Sequence, residues 1–227
     1  MSSIDIRYAC EADCTQIAAV NGAAFATGLF LRNAYPQASP AEMIEFRRVH
    51  ALRQLPDKTT HTLVGVERAT GTIVALARWK GAMTRILMNG DYPPAVTLSD
   101  QAAALIAKPN SEIALTVCNQ GVLDAFAALT KEKHNRYFHE DDIELDLLCT
   151  HPLYQGQGIG AAMIKWGTDK ADAAKAHIYL QATADAHPLY CRLGWETLDE
   201  AVLDYGKYGG EGVNRIYFMR RAPMIYK

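Results

Sequence analysis

Gln155-Gly156-Gln157-Gly158-Ile159-Gly160-Ala161 places three glycines within five residues, between a strand-like run (Ile143 to Thr150) and a helix-like run (Ile159 to Lys175). Glycine lets a backbone come close to a ligand and turn its N–H groups toward it. The first turn of a helix adds free N–H groups at the positive end of its dipole, so a phosphate or pyrophosphate is the expected guest. His151-Pro152-Leu153-Tyr154 joins the strand to the loop, and Pro152 forbids continued ladder pairing there. Two carboxylates, Glu144 and Asp146, interrupt the strand before it turns fully apolar. A strand with one end on a polar cleft reads in this way.

Glycine-rich loops of known chemistry differ in what surrounds the glycines. A nucleotide P-loop ends in Gly-Lys-Ser/Thr, and Ile159-Gly160-Ala161 has neither the lysine nor the hydroxyl. A dinucleotide fingerprint comes closer, because Gly156-x-Gly158-x-x-Ala161 fits its permissive form and Asp185 follows a second strand. Its glycines should follow the strand directly, however, and His151 to Gln155 intervene. Its strand should be buried on both faces, where this one carries Glu144 and Asp146. The chain beyond Asp185 is also too short for the remaining strands of that fold.

The third match is more specific. Gln155-x-x-Gly158-x-Gly160 fits the Gln/Arg-x-x-Gly-x-Gly/Ala motif of the GNAT superfamily of N-acetyltransferases, after an apolar strand and an x-x-Pro-x-Tyr connector (His151 to Tyr154). Arg7-Tyr8-Ala9 through Phe25 is similar to that family's first strand and helix. Leu189-Tyr190-Cys191-Arg192-Leu193-Gly194-Trp195 is similar to its aliphatic-Tyr-x-x-Leu-Gly-aromatic signature. The chain thus resembles the GNAT superfamily over most of its length, and the contexts of Trp79 and Trp195 look similar to fungal members of unassigned substrate.

That resemblance implies an α/β (α+β) fold: a mixed central sheet with splayed parallel strands 4 and 5, flanked by helices. It implies one domain over residues 1–227 with a helical insertion at about 81–133. Acetyl-CoA is the implied donor. Leu148, Cys149 and Thr150 are assigned by the resemblance to the pantetheine arm. Gln155, Gly156, Gln157, Gly158, Ile159, Gly160 and Ala161 are assigned to the pyrophosphate through their backbone N–H groups. Thr183 stands where the family often has an Asn, seven residues ahead of its tyrosine, and can still hydrogen-bond the cofactor arm. Glu144 aligns with the strand-four glutamate that histone-type members use as base, with Asp146 on the same strand face. Tyr190 matches the family's general acid.

The implied reaction sets its own demands. An alkyl ammonium has a pKa of about 10.4, so freeing its lone pair near pH 7 costs roughly 4–5 kcal/mol. A thiol leaving group near pKa 8.5 needs far less help, at about two units from neutral. The base is the more demanding role, and like-charge repulsion from Asp146 would bring Glu144 toward the working range. Cys149 and Cys191 could suggest an acyl-enzyme, but no histidine marks a Cys–His pair in the sequence, which favours direct transfer with the cysteines as small fillers. His151 reads as a loop residue. The expected function is an acetyl-CoA-dependent N-acetyltransferase acting on a primary amine of a small molecule or peptide. The alternative is a GNAT-fold sensor that holds acyl-CoA without turnover.

The elements that must position these groups follow from patterning. Ile4 to Ala9 alternates as a first strand, and Glu11-Ala12-Asp13 opens a helix. Ser39-Pro40-Ala41-Glu42 starts another helix, running to about Leu55, with Ser39 as cap and Pro40 at its first position. Thr62 to Arg68 and Thr72 to Lys80 form a hairpin around Gly71. A loop at Asn89 to Pro94, a short helix after Ser99 ended by Pro109, and a further helix through Leu115, Val122, Phe126 and Leu129 to Lys133 fill the insertion. His177 to Ala182 and Val213 to Arg220 read as strands, and Pro188 to Leu193 as a short helix ended by Gly194. Specificity is expected from Thr27 to Tyr35, from Gly81 to Tyr92 and from Tyr205 to Gly212. Phe30, Tyr35, Tyr92, Tyr205 and Tyr208 hint there at an apolar amine pocket.

Composition narrows the classes. At 227 residues, with 49% hydrophobic and 21% charged residues, the chain can bury a full core. A net charge of -2 gives no general attraction to nucleic acid or anionic membranes, and no apolar run approaches a membrane span. The five cysteines show no C-x-x-C pair, so neither a metal site nor a disulfide framework is expected. The polar start Met1-Ser-Ser-Ile-Asp-Ile-Arg carries no visible secretory signal, and the expectation is a cytoplasmic protein. A homodimer is compatible with the sequence.

Overall fold

The computed structural model describes residues 4–88, 95–108, 115 and 117–224. A seven-stranded mixed sheet runs β1 (Ile4–Tyr8), β2 (His61–Glu67), β3 (Ile73–Gly81), β4 (Ile143–Thr150), β5 (Ile178–Thr183), β7 (Val213–Arg221) and β6 (Glu196–Asp204) across its width. All neighbours are antiparallel except β4 and β5. One face carries α1 (Cys14–Ala24), α3 (Pro40–Gln54) and α5 (Asp100–Ile106) over β1 to β4. On the same face α2 (Leu29–Ala34) and α6 (Gln120–Tyr137) lie over β5 to β6. The other face carries α4 (Met83–Leu87), α7 (Ile159–Ala174) and α8 (His187–Arg192).

Local signals act where expected. Ser39 Oγ accepts from Glu42 N–H at 3.3 Å and Glu42 accepts from Ser39 N–H at 2.8 Å, a reciprocal cap on α3 with Pro40 at its first position. Gly194 at φ 89 closes α8, a conformation only glycine adopts freely. The helix expected from Glu11 begins three residues later, because Asp13 turns back to accept from Cys10 N–H at 2.8 Å and to pair with Arg7.

The described parts of the region 81–133 carry α4, α5 and most of α6, and α4 joins the core. Met83 and Leu87 of α4 are buried beside Trp79 and Met163. The last helix starts at Gln120, with Asn119 as its cap, and runs past Lys133 to Tyr137. Leu115 lies before it, and Gly121 falls in its first turn, where a glycine costs least. The expected loop at 89–94 and the helix stop at Pro109 lie outside the described residues. Among those described, no helix is long and apolar enough to cross a membrane.

Candidate active site between the splayed strands

β4 and β5 pair only at Ile143–Ile178, Glu144–Tyr179 and Leu145–Leu180. Beyond that, β5 continues on β7 alone and β4 continues on β3 alone, so the facing edges of the two parallel strands part. Residues Asp146 to Thr150 therefore have strand backbone with a ladder on one side only. Such an edge is a template for another extended chain.

A bulge re-phases β4 at this point. Arg78 pairs with Leu147 and Trp79 with Leu145, which leaves Asp146 as the extra residue. Before it, Ile143 and Leu145 pack toward α7; after it, Leu148 packs that way, while Leu147 and Cys149 pack toward α1 and α3. Without the bulge, Leu148 would face α1 and the strand would present the wrong side to the glycine loop.

The loop is built as an open cradle. Gly156 and Gly158 hold φ of 74 and 84, and a Cβ at either would meet nothing within 4 Å. Gly158 caps α7 without a side chain, so the N–H groups of the first turn face outward from the helix end. Ile159 is buried and pins that end to the core. Gln155 Nε2 donates to Thr150 O at 3.1 Å, tying the loop to the strand end, and Gln157 Nε2 donates to Leu153 O at 3.3 Å. Gly160 lies over Thr150, whose Oγ1 is 3.7 Å from its would-be Cβ. His151 Nδ1 accepts from Leu153 N–H at 3.3 Å, which makes it a turn cap. Thr183 is exposed at the end of β5.

Glu144 Oε1 lies 3.6 Å from His134 Nε2 on α6, with Tyr179 beneath the imidazole at 5.6 Å between ring centroids. Burial pushes the Glu144 carboxyl above the usual range, Asp146 adds to that, and His134 and Lys80 pull against it. Asp146 itself is held by Arg78 and by Lys80 at 3.2 Å. The two carboxylates on one strand thus differ: Asp146 is ion-paired with Arg78 and Lys80, whereas the ion-pair contact of Glu144 among the described residues is His134, with Lys80 acting on it at longer range. This separates two residues that the sequence offered together as candidate bases.

Tyr190 is 6% exposed on α8 and packs edge-on to Trp195 at 5.6 Å. Burial raises its pKa, with a further contribution from the Cys149 thiol. Burial also raises the Cys149 thiol to about 12, which leaves it an inert filler as expected. Cys191 departs from that expectation. It is exposed, and its Sγ is 3.5 Å from His187 Nε2. The same nitrogen is 2.8 Å from Thr197 Oγ1, and the ring stacks on Tyr217 at 3.9 Å, so the imidazole is already committed.

The expected aromatic pocket is largely packing. Tyr205 is fully buried and Phe30 stacks on Phe126 at 4.0 Å. Tyr92 lies outside the described residues. The two expected specificity segments are joined instead: Asn33 Nδ2 donates to Glu211 O at 3.0 Å, and Glu211 N–H donates to Asn33 Oδ1 at 2.6 Å. A separate cavity of about 520 Å³ lies near Tyr8, Glu11, Asp57 and Thr97, away from Glu144 and the loop.

His134, Arg78 and Lys80 were not marked by any sequence motif; only their approach to β4 in space reveals them.

Comparison with known proteins fits this geometry. The family model described as "Acetyltransferase (GNAT) domain" matches residues 109–197, which span the strand, the glycine loop and Tyr190. A structure from Corynebacterium glutamicum, "histone acetyltransferase HPA2 and related acetyltransferase", is 21% identical, with a TM-score of 0.59 over 99% of both chains. The mosquito "arylalkylamine N-Acetyltransferase like 5b" is 15% identical, with a TM-score of 0.52 over 97% of this chain and all of that one. From Salmonella typhimurium, yncA, "a putative ACETYLTRANSFERASE" solved "with its cofactor Acetyl-CoA", is 15% identical, with a TM-score of 0.51 over 100% of this chain and 97% of that one. Among curated proteins no sequence matches the chain significantly. Residues 109–197 match a GNAT acetyltransferase domain, and the chain shares the fold of these acetyltransferase structures.

Proposed function

We propose that the protein is an N-acetyltransferase that uses acetyl-CoA to acetylate a primary amine by direct attack. The observation that carries this reading is the parting of β4 from β5 after Leu145, with the glycine cradle at the far end of the parted edge. The residues present fit a pantetheine diphosphate: the free edge at Leu148, Cys149 and Thr150 suits its amides, and the loop from Gln155 to Ala161 suits its anionic end. Cys149 contributes backbone only, because its side chain faces α1. When bound, this group supplies an acetyl thioester. In the same reading, residues 1–227 form one domain in which 81–133 is an insertion, supported by the burial of Met83 and Leu87 in the main core.

Glu144 takes the proton from the acceptor ammonium, directly or through water, and His134 carries it toward solvent. Its raised pKa narrows the gap to an alkyl ammonium and so lowers the cost of that transfer. Once the amine is neutral, its nitrogen would bond to the acetyl carbon, the carbon–sulfur bond would break with the bonding pair leaving on sulfur, and the nitrogen would lose its second proton to water. Tyr190 stays protonated and offers its O–H to that sulfur. Its ordinary pKa near 10 already lies above a thiol's 8.5, so full proton transfer would be uphill by about 2 kcal/mol, and burial increases this. Its role is therefore hydrogen-bond donation to the developing thiolate, with the final proton drawn from water.

Thiol release from acetyl-CoA across a mixed amine panel tests the reading. Release that depends on the amine supports it. Tight coenzyme A binding with no release from any amine would favour a sensor instead.

A further inference from the structure

Arg47 projects from α3 toward α1, with Nη1 3.1 Å from the position a Cβ on Gly22 would occupy. A larger residue at position 22 would displace the guanidinium. Around it, other cations are paired: Arg48 with Glu45 at 2.6 Å, and Arg78 with Asp146. Arg47 has no carboxylate or carbonyl partner among the described residues, although it is half-buried. A partly desolvated guanidinium without a counter-charge is costly, and an incoming anion would relieve it.

Its position is what gives this a meaning. The helices α1 and α3 pack with Leu147 and Cys149 on the part of β4 that β5 leaves unpaired, and Arg47 turns from α3 onto Gly22 of α1. Tyr190 packs with Leu148 in the cluster on the opposite face of the strand. Arg47 and Tyr190 therefore flank one segment of the parted edge. On the Arg47 side the balance of charge is positive: Arg47, Arg78 and Lys80 stand against the two carboxylates of Asp146 and Glu144. The overall charge of -2 conceals this local excess.

We propose that Arg47 receives a carboxylate of the acceptor, so that the preferred acceptors are amines that also carry an acidic group, in the manner of an amino acid, rather than plain alkylamines. The guanidinium fork suits a carboxylate, which can accept two parallel N–H bonds. This assignment rests on the transferase reading above and names its acceptor class.

The test uses L-amino acids paired with their carboxamides, against wild type, Arg47→Met and Arg47→Lys. Thiol release from acetyl-CoA gives kcat/KM for each compound, and calorimetry on the coenzyme A-saturated protein gives binding of the same compounds. Wild type should favour the acid of at least one pair. In Arg47→Met the acid-to-amide ratio should fall tenfold or more, mostly through KM, with partial recovery in Arg47→Lys. Comparing ratios between variants cancels the different basicity of the two amines. An unchanged ratio overturns the proposal, as does a loss confined to coenzyme A affinity, which would assign the arginine to the donor. If no compound releases thiol, the transferase reading fails on its own; an acid preference in calorimetry that Arg47→Met removes would still support the carboxylate site, and its absence would overturn it.

Discussion

Glu144 and His134 face each other at 3.6 Å between Oε1 and Nε2, joining β4 to α6. Burial and Asp146 raise the Glu144 carboxyl, and His134 works against them. Base catalysis needs Glu144 ionised, so turnover should fall as pH drops through its raised pKa. His134 lowers that pKa; removing it with His134→Gln should move the acid limb of the kcat/KM profile to higher pH. Asp146 raises it, so Asp146→Asn should move the limb to lower pH. Glu144→Gln should abolish the limb and reduce kcat by about 10²–10⁴-fold. A profile that none of the three shifts would remove Glu144 from the proton path.

Tyr190→Phe tests the leaving-group contact. Loss of one hydrogen bond to a developing charge is expected to cost about 1.5–3 kcal/mol, or roughly 10- to 150-fold in kcat. Coenzyme A affinity should change less than threefold, since the hydroxyl is asked to act on the departing sulfur. Equal losses in affinity and turnover would mark the ring as packing beside Trp195.

Gly158 at φ 84 has open space around its absent Cβ, so a substitution there is resisted by the backbone alone. Gly158→Ala should destabilise the fold by about 1–2 kcal/mol. Its larger effect should be on coenzyme A, with Kd rising at least tenfold as the turn relaxes away from its N–H-presenting form. Gly158→Trp should abolish binding. Calorimetry with coenzyme A reads both, and undiminished affinity in either variant would take the loop out of the donor site.

Gly167 gives the opposite pattern. A Cβ there would stand 2.3 Å from the fully buried ring of Trp79, where α7 lies against β3. Gly167→Ala must push helix and strand apart, at a cost of about 1–3 kcal/mol that outweighs the alanine's better helix propensity. Urea denaturation should show a lower midpoint, while coenzyme A affinity of the folded variant stays near wild type. A midpoint that rises would mean that the packing adjusts freely.

Much of this was legible before any fold was known, and the legible parts are local. The glycine spacing from Gly156 to Gly160, the Ser39–Glu42 cap and the Gly194 stop each act through neighbours a few residues away, so the order of residues suffices to announce them. Aromatic residues in the expected specificity loops misled, because Tyr205 and Phe30 are the same residue types whether they line a pocket or fill a core. By sequence alone the exposed Cys191 reads as a filler for the same reason: burial is a property of what packs above a residue.

By itself the sequence determined the glycine cradle that the proposal gives to the donor, since a backbone cradle at a helix start needs only glycines, a turn and the helix that follows. It also offered Glu144, Asp146 and Tyr190 as candidate reacting groups. The tertiary structure decided how those groups differ. Asp146 became a bulged, doubly paired carboxylate because Arg78 and Lys80 come from another strand. Glu144 stayed available because its partner, His134, is a histidine on a packed helix. Arg47 became a cation with no carboxylate or carbonyl partner among the described residues because α3 meets α1 at Gly22. Charge pairing falls off within a few ångströms, and only the folded chain sets those distances.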